Sequence, residues 1–235
     1  MIITIKSEAL SYRKGCAPLD IQKLSIKKRR VMIYFIEAAR QLMSSDGIQA
    51  LSIRGIAEIA GYNSATLYNY FEDLQHLTLF ASMSYLRDYV SALSGKLKAP
   101  MSSLQRYRVI YETFDHFAFR SPEIFYNMFF GSQSSKLPEV TVQYYTLFPD
   151  ELKEHTPSVR KMLTQGNMYL RDEPIVEELV KDGFVKRENA PYLSAIVPRL
   201  NQTYLHELAN GERIDPEEQH RRFIAVFDYL LETAK

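Results

Sequence analysis

The stretch Ser52 to Phe71, SIRGIAEIAGYNSATLYNYF, leaves a chain few ways to fold. Its apolar residues Ile53, Ile56, Ala57 and Ala60 recur at helical spacing, Ser52 stands where a hydroxyl caps a helix N-terminus, and Gly61 supplies the stop. A second short helix, Ser64 to Tyr70, starts on Asn63. Two helices joined by Gly61, Tyr62 and Asn63 make a helix-turn-helix, in which Ala57 and Ala60 permit a close crossing and Ile53, Ile56 and Leu67 close a small core. Ser64, Ala65, Thr66, Tyr68, Asn69 and Tyr70 are left facing outward or toward a groove. A solvated helix more often carries Lys and Glu there, whereas short hydrogen-bonding and aromatic side chains suit base edges, thymine methyls and phosphates.

The rest of the sequence extends the helical reading to an all-α fold, because few stretches alternate apolar and polar residues with the period of a half-buried strand. Upstream, Val31, Phe35, Ala38 and Leu42 mark an amphipathic helix from Lys27 to Gly47, with Ser25 as its cap. After Glu72-Asp73 a long fourth helix runs through Leu77, Phe80, Met83, Leu86 and Val90 to about Ser94, closed by Gly95 and Pro100. Further helices are predicted over Ser103–Arg120, from Ser121-Pro122 to Gly131, over Leu137–Phe148, and over Asn167–Lys181 with a kink or restart at Pro174. Between them lie a polar loop, Ser132–Lys136, and a broken stretch around Pro149 and Pro157. Ala190–Ala209 and Pro216–Thr233 finish the chain. The division is an arm over 1–24, a three-helix helix-turn-helix domain over 25–72, a connecting helix over 73–96 and a larger helical domain over 97–235.

Composition removes other classes. Of 235 residues 46% are hydrophobic and 24% charged, enough for a core, and no apolar run approaches the roughly 18 residues of a membrane span. The start carries no apolar block with a small-residue cleavage site, so the expected location is the cytoplasm. One cysteine, Cys16, builds neither a disulfide nor a thiolate cage. The five histidines, His76, His116, His155, His206 and His220, show no metal-ligand spacing, and no nucleophile-elbow, dinucleotide or Walker sequence is present. No metal, cofactor or catalytic residue is therefore expected. Charge is uneven: residues 1–71 hold ten Lys and Arg against five Asp and Glu, residues 72–235 hold 19 against 23. A nucleic-acid-binding head on a near-neutral body has this asymmetry.

With these residues in view the sequence resembles the TetR family of bacterial transcription regulators. Ser52, Arg54, Ile56, Ala57, Ala60, Gly61, Thr66, Leu67, Tyr68, Tyr70 and Phe71 fall in register on its T-x-R-x-I-A-x-x-A-G-V-S-x-G-T-L-Y-x-Y-F signature. The resemblance covers about residues 27 to 90; beyond it only helicity and length agree. It implies base contacts from Ser64, Ala65 and Tyr68, phosphate contacts from Ser52, Arg54, Thr66 and Tyr70, and either role for Asn69, with Asn63 at the turn in the same contact set. It also implies a homodimeric, ligand-responsive repressor, bound to double-stranded DNA at a palindromic operator, with an unidentified small-molecule effector held by the second domain.

Departures from the family pattern define a second reading. Glu72-Asp73-Leu74-Gln75 stands where members commonly place a phosphate-binding lysine, Ala65 replaces a glycine, and Tyr62-Asn63 replaces Val-Ser. Lys27, Lys28, Arg29 and Arg30, with Lys23, Arg13 and Lys14 before them, offer compensating cations; at a helix N-terminus they oppose the macrodipole, so a phosphate backbone explains them better than stability does. Without compensation the chain is a helical ligand-binding or dimerisation protein with a weakened head. For the effector, Tyr107, Tyr111, Phe114, Tyr126 and Phe129 read as core or as pocket lining, with Arg108 and Asp115 close by in sequence as polar partners. For dimerisation, Leu193, Ile196, Val197, Leu200 and Tyr204 with Phe223, Val226, Phe227 and Leu230 are expected to meet a symmetry mate as a four-helix bundle.

Overall fold

The computed structural model describes residues 21–151, 168–211 and 214–235. The arm residues Arg13, Lys14 and Cys16, and the stretch with His155 and Pro157, lie outside the described residues. Ten α-helices are described: α1 (Ile26–Asp46), α2 (Ile53–Ala60), α3 (Ser64–Leu67), α4 (Leu74–Lys96), α5 (Ser103–Ala118), α6 (Pro122–Phe130), α7 (Leu137–Leu147), α8 (Met168–Lys181), α9 (Ala190–Ala209) and α10 (Pro216–Thr233). Short 3₁₀ turns intervene at Ile21–Lys23, Ile48–Ala50, Ser134–Lys136 and Pro149–Glu151. No described residue is in a strand, and no described helix is long and apolar enough to cross a membrane.

α1 packs on α2 and α4 to form the head, around Phe35, Ile36, Ile56, Leu67 and Phe71. The side chain of Ser25 caps α1 by accepting from the Lys28 amide at 3.4 Å. In the body α5, α6, α8, α9 and α10 pack on one another around Tyr107, Phe114, Phe125, Phe223 and Phe227. Each such aromatic, fully buried, contributes on the order of 1.5–3 kcal/mol. α4 belongs to both regions, packing on α1 and on α5, α6 and α7. A second tie joins α1 to α7: Arg40 lies over the rings of Tyr144 and Phe148 and donates to the Tyr144 hydroxyl, which donates to Glu151 at 2.5 Å.

Several predicted boundaries move. α3 stops at Leu67 rather than Tyr70, because Phe71 is drawn under the head against Phe35 and Phe80, and the intervening amides bond three residues back, Asn69 to Thr66 and Tyr70 to Leu67. α4 runs past Gly95 to Lys96, since Leu93 and Ser94 are still buried there. The loop Ser132–Lys136 holds a 3₁₀ turn. α8 runs unbroken through the exposed Pro174, so the helix does not restart there.

Candidate nucleic-acid interface

The helix-turn-helix is set by its caps. Ser52 Oγ accepts from the Gly55 amide at 3.1 Å to start α2, and Gly61, in the left-handed conformation at φ 74°, ends it. The Tyr62 amide then reaches the Ala57 carbonyl at 2.9 Å. Asn63 Oδ1 accepts from the Ala65 amide at 2.8 Å and starts α3. Ser52 and Asn63 thus each commit one acceptor lone pair to the fold, and the Ser52 hydroxyl proton, the Asn63 NH₂ and the second lone pair of each oxygen remain for a ligand.

Leu67 is buried and fixes the inner side of α3, so Ala65, Tyr68 and Asn69 are exposed, with Tyr68 at 56%, while Ser64, Thr66 and Tyr70 are half-buried. Tyr70 packs partly on the core. Arg54 is exposed on α2. In the first turn of α1, Lys27, Lys28 and Arg30 are exposed and Arg29 is half-buried. The surface this makes is a short helix with hydroxyl, amide, methyl and phenol groups outward, flanked by cations. Such groups bond base edges and phosphates.

The acidic start of α4 has partners in the body. Asp73 Oδ1 accepts from the His76 amide at 2.7 Å as the helix cap, and Gln133 Nε2 donates to Asp73 Oδ2 at 3.3 Å. Lys136 pairs with Glu72 and holds its carboxyl below the ordinary range. The His76 ring accepts from the Glu72 amide at 3.3 Å and packs on Phe71 and Phe80, and burial lowers its pKa. Lys136 was not among the sequence candidates; only its place in a polar turn marked it.

The predicted effector residues separate into four places. Tyr111 and Phe114 line a narrow body cavity of about 20 Å³, room for about one water, with Tyr89, Met168, Arg171 and Asp172. Tyr107 and Tyr111 both donate to Asp172 Oδ1, at 2.9 and 2.8 Å, and burial pushes the Asp172 carboxyl up to about 7. Asp172 Oδ2 is buried without a hydrogen-bond partner, and Phe129 lies under the Arg171 guanidinium at 5.0 Å. Asp115 belongs to a neighbouring network: Asn201 Nδ2 donates to it at 2.7 Å and His220 Nδ1 meets it at 3.0 Å. Burial raises Asp115 to about 6, and the carboxylate raises His220. Arg108 lies apart, paired with Glu112 at 3.4 Å and with Asp228. Tyr126 lies on a different cleft, between head and body. Sequence reasoning missed Arg171, Asp172, Asn201 and His220. The signal was available for the first two, which occupy the apolar stripe of α8 with Met168, Ile175, Val176 and Leu179.

The predicted dimer residues need correction. Leu193, Val197, Phe223 and Phe227 are buried inside their own protomer, Leu200, Tyr204 and Leu230 are half-buried, and Val226 is exposed. The apolar side chains facing out of α9 and α10 are Tyr192, Ile196, Val226 and Tyr229, with Tyr192 at 67% and Tyr229 at 68%. A helix that serves both a core and an outer face carries two stripes, and the expected interface set drew on both, mostly on the buried one and on Ile196 and Val226 from the outer.

Residues 35–78 match the family model described as bacterial regulatory proteins, tetR family. No curated protein sequence matches. Among solved structures, the chain is similar to Thermus thermophilus FadR, a TetR-family transcriptional repressor solved with lauroyl-CoA, at 14% identity and a TM-score of 0.56 over 83% of this chain and 92% of that one. It is similar to a protein assigned to the TetR-family regulators from Syntrophomonas wolfei (14%, TM-score 0.54, 87% and 96%) and to another from Rhodococcus (15%, 0.51, 88% and 100%). At these identities the likeness is one of fold.

Proposed function

We propose that this chain, whose residues 35–78 match the model of the tetR family of bacterial regulatory proteins, is a DNA-binding transcriptional regulator of that family and acts as a ligand-responsive repressor, bound as a homodimer to a palindromic operator. The observation that carries the reading is the outward face of α3, where Tyr68, 56% exposed, stands beside Ala65 and Asn69 while Leu67 anchors the helix in the head. Ser64, Ala65 and Tyr68 read base edges, Arg54, Thr66 and Tyr70 hold phosphates, and Lys27, Lys28 and Arg30 add cations that do not depend on sequence. Ser52 and Asn63 act first as caps and contribute their remaining hydrogens to the backbone contact.

Two heads paired through the exposed face of α9 and α10, Tyr192, Ile196, Val226 and Tyr229, read half-sites about one helical turn apart, roughly 34–36 Å. We place the effector site at the body cavity bearing Asp172 and Arg171, for its buried carboxylate oxygen without a partner beside phenol and phenyl rings; at about 20 Å³ the cavity has to widen to admit an effector. An effector that empties the operator must prefer the released state by several kcal/mol, about 5.5 for a near-complete switch.

The weakened-head alternative drew on Glu72 and Asp73, and both have partners within the protein, a lysine for one and a cap for the other. The test contrasts two variants on a duplex selected for tight binding and on a scrambled duplex. Tyr68→Ala is expected to lose about 1–3 kcal/mol on the selected duplex alone, while Arg54→Ala weakens both duplexes alike and flattens the salt slope by about 0.9. Indifference to both variants overturns the reading.

A further inference from the structure

Between head and body lies a cleft of about 320 Å³ that belongs neither to the α3 surface nor to the body cavity. Its head wall is built from the turn after α1 and the first turns of α4, its body wall from α6 and the end of α9. Six residues with polar side chains besides Tyr126 line it, Gln49, Gln75 and Thr78 from the head and Glu123, Asn127 and Asn210 from the body. Thr78 donates to the Leu74 carbonyl and Asn210 meets the His206 ring, whereas no hydrogen bond or ion pair joins the side chains of Gln49, Gln75, Glu123 and Asn127 to any other described residue. Gly131 keeps that wall in shape: a Cβ there would meet the Asn127 carbonyl oxygen at 2.4 Å and its side-chain oxygen at 2.6 Å. Leu51 and the ring of Tyr126 add apolar surface.

The chemistry of this lining is selective. Glu123 is the charged side chain among the described lining residues, and none of them is Lys or Arg. A carboxylate beside an aromatic ring attracts a cation and repels an anion, and carboxamide oxygens accept from N–H donors. We propose that this cleft is a second small-molecule site, specific for a small organic ammonium ion. The ammonium donates to Glu123 and to the carboxamide oxygens of Gln75 and Asn127, and its carbon chain lies on Tyr126 and Leu51. A ligand held by both walls ties the head to the body at the root of α4, and so acts on the attitude of α3 without entering the body cavity.

Three four-carbon probes that differ in charge test this on the full chain by titration calorimetry: 1,4-diaminobutane, 1,4-butanediol and succinate. The diamine is expected to bind saturably, with the diol and succinate weaker by about tenfold or more, the worth of a charge-assisted hydrogen bond with a cation–ring contact. Glu123→Gln and Tyr126→Leu should each weaken the diamine by about tenfold, Tyr126→Phe should keep it, and Asp172→Asn, in the other cavity, should leave it unchanged. Gln75→Leu, at an exposed position on the opposite wall, supplies the same loss should a body variant fold poorly. The proposal is overturned by no saturable diamine binding, by a diol that binds as tightly, by wild-type affinity in Glu123→Gln and Gln75→Leu, or by a loss seen in Asp172→Asn alone.

Discussion

The head and the body place their polar groups in opposite ways. In the head the core holds hydrocarbon and aromatic side chains, and the functional groups stand outside it: Tyr68, Asn69 and Arg54 are exposed, and Ser52, Asn63 and Asp73 are spent on caps within three residues of themselves. In the body Asp115, Asp172, Arg171 and Asn201 are buried, and two of the carboxyls are pushed to about 6 and about 7 by burial. Reading DNA needs groups already presented to a partner, so the surface is where they belong. Sensing a small molecule inside a protein needs polar groups held in an apolar setting, where each hydrogen bond made or lost counts for more.

The largest expected effect tests the role left to the body's surface. Replacing Ile196 and Tyr229 by arginine puts charge on the outer face of α9 and α10 without touching the buried stripe. Sedimentation should show a monomer, and operator affinity should fall by about a hundredfold or more as the two half-sites cease to be read together. A dimer that persists would move the interface elsewhere.

Next in size is a pH effect of the buried carboxyls. Asp172 in the folded protein keeps its proton up to about 7, against 3.8 for an unburied carboxyl. Between these values the folded state binds a proton that the unfolded chain has released. The contribution is therefore complete below the window and lost as pH rises through it. Relative to Asp172→Asn, wild-type stability from urea unfolding should fall across that window with a slope up to about 1.4 kcal/mol per pH unit. Parallel profiles would mean that Asp172 is not held protonated, and the contrast between body and head would weaken.

The smallest effect sharpens the contrast at the seam. Glu72 and Lys136 are an exposed and a half-buried partner, a pair worth about 0–1 kcal/mol. Glu72→Lys should raise affinity for any duplex by less than about tenfold and steepen the salt slope by about 0.9, with melting nearly unchanged. A gain confined to the operator would show that Glu72 touches the sequence readout instead.

The difference between the regions also explains what the amino-acid order disclosed. Caps, turns and stripes act over three or four residues, so Ser25, Ser52, Gly61 and Asn63 announced the head. The extent of α3 escaped because Phe71 answers to Phe35 and Phe80, a tertiary pull that local propensity does not contain. The body cavity escaped for the same reason at longer range: Asp172 meets Tyr107 and Tyr111 from α5, 65 and 61 residues away in sequence. Arg171-Asp172 in an apolar stripe was the legible trace, a charged pair where a core residue was due. For α9 and α10 the expected interface mixed buried residues such as Val197 and Phe227 with the exposed Ile196 and Val226, since periodicity alone does not tell an inner stripe from an outer one.

The proposed role of the α3 face is to read a defined sequence as half of a symmetric pair. The most direct test selects duplexes from a random pool with the purified protein at about 50 and 200 mM salt, which separates base reading from phosphate binding. The account predicts enrichment of a palindrome, with half-sites about one helical turn apart, that survives the higher salt. Folded, dimeric protein that enriches no sequence at either salt would contradict it.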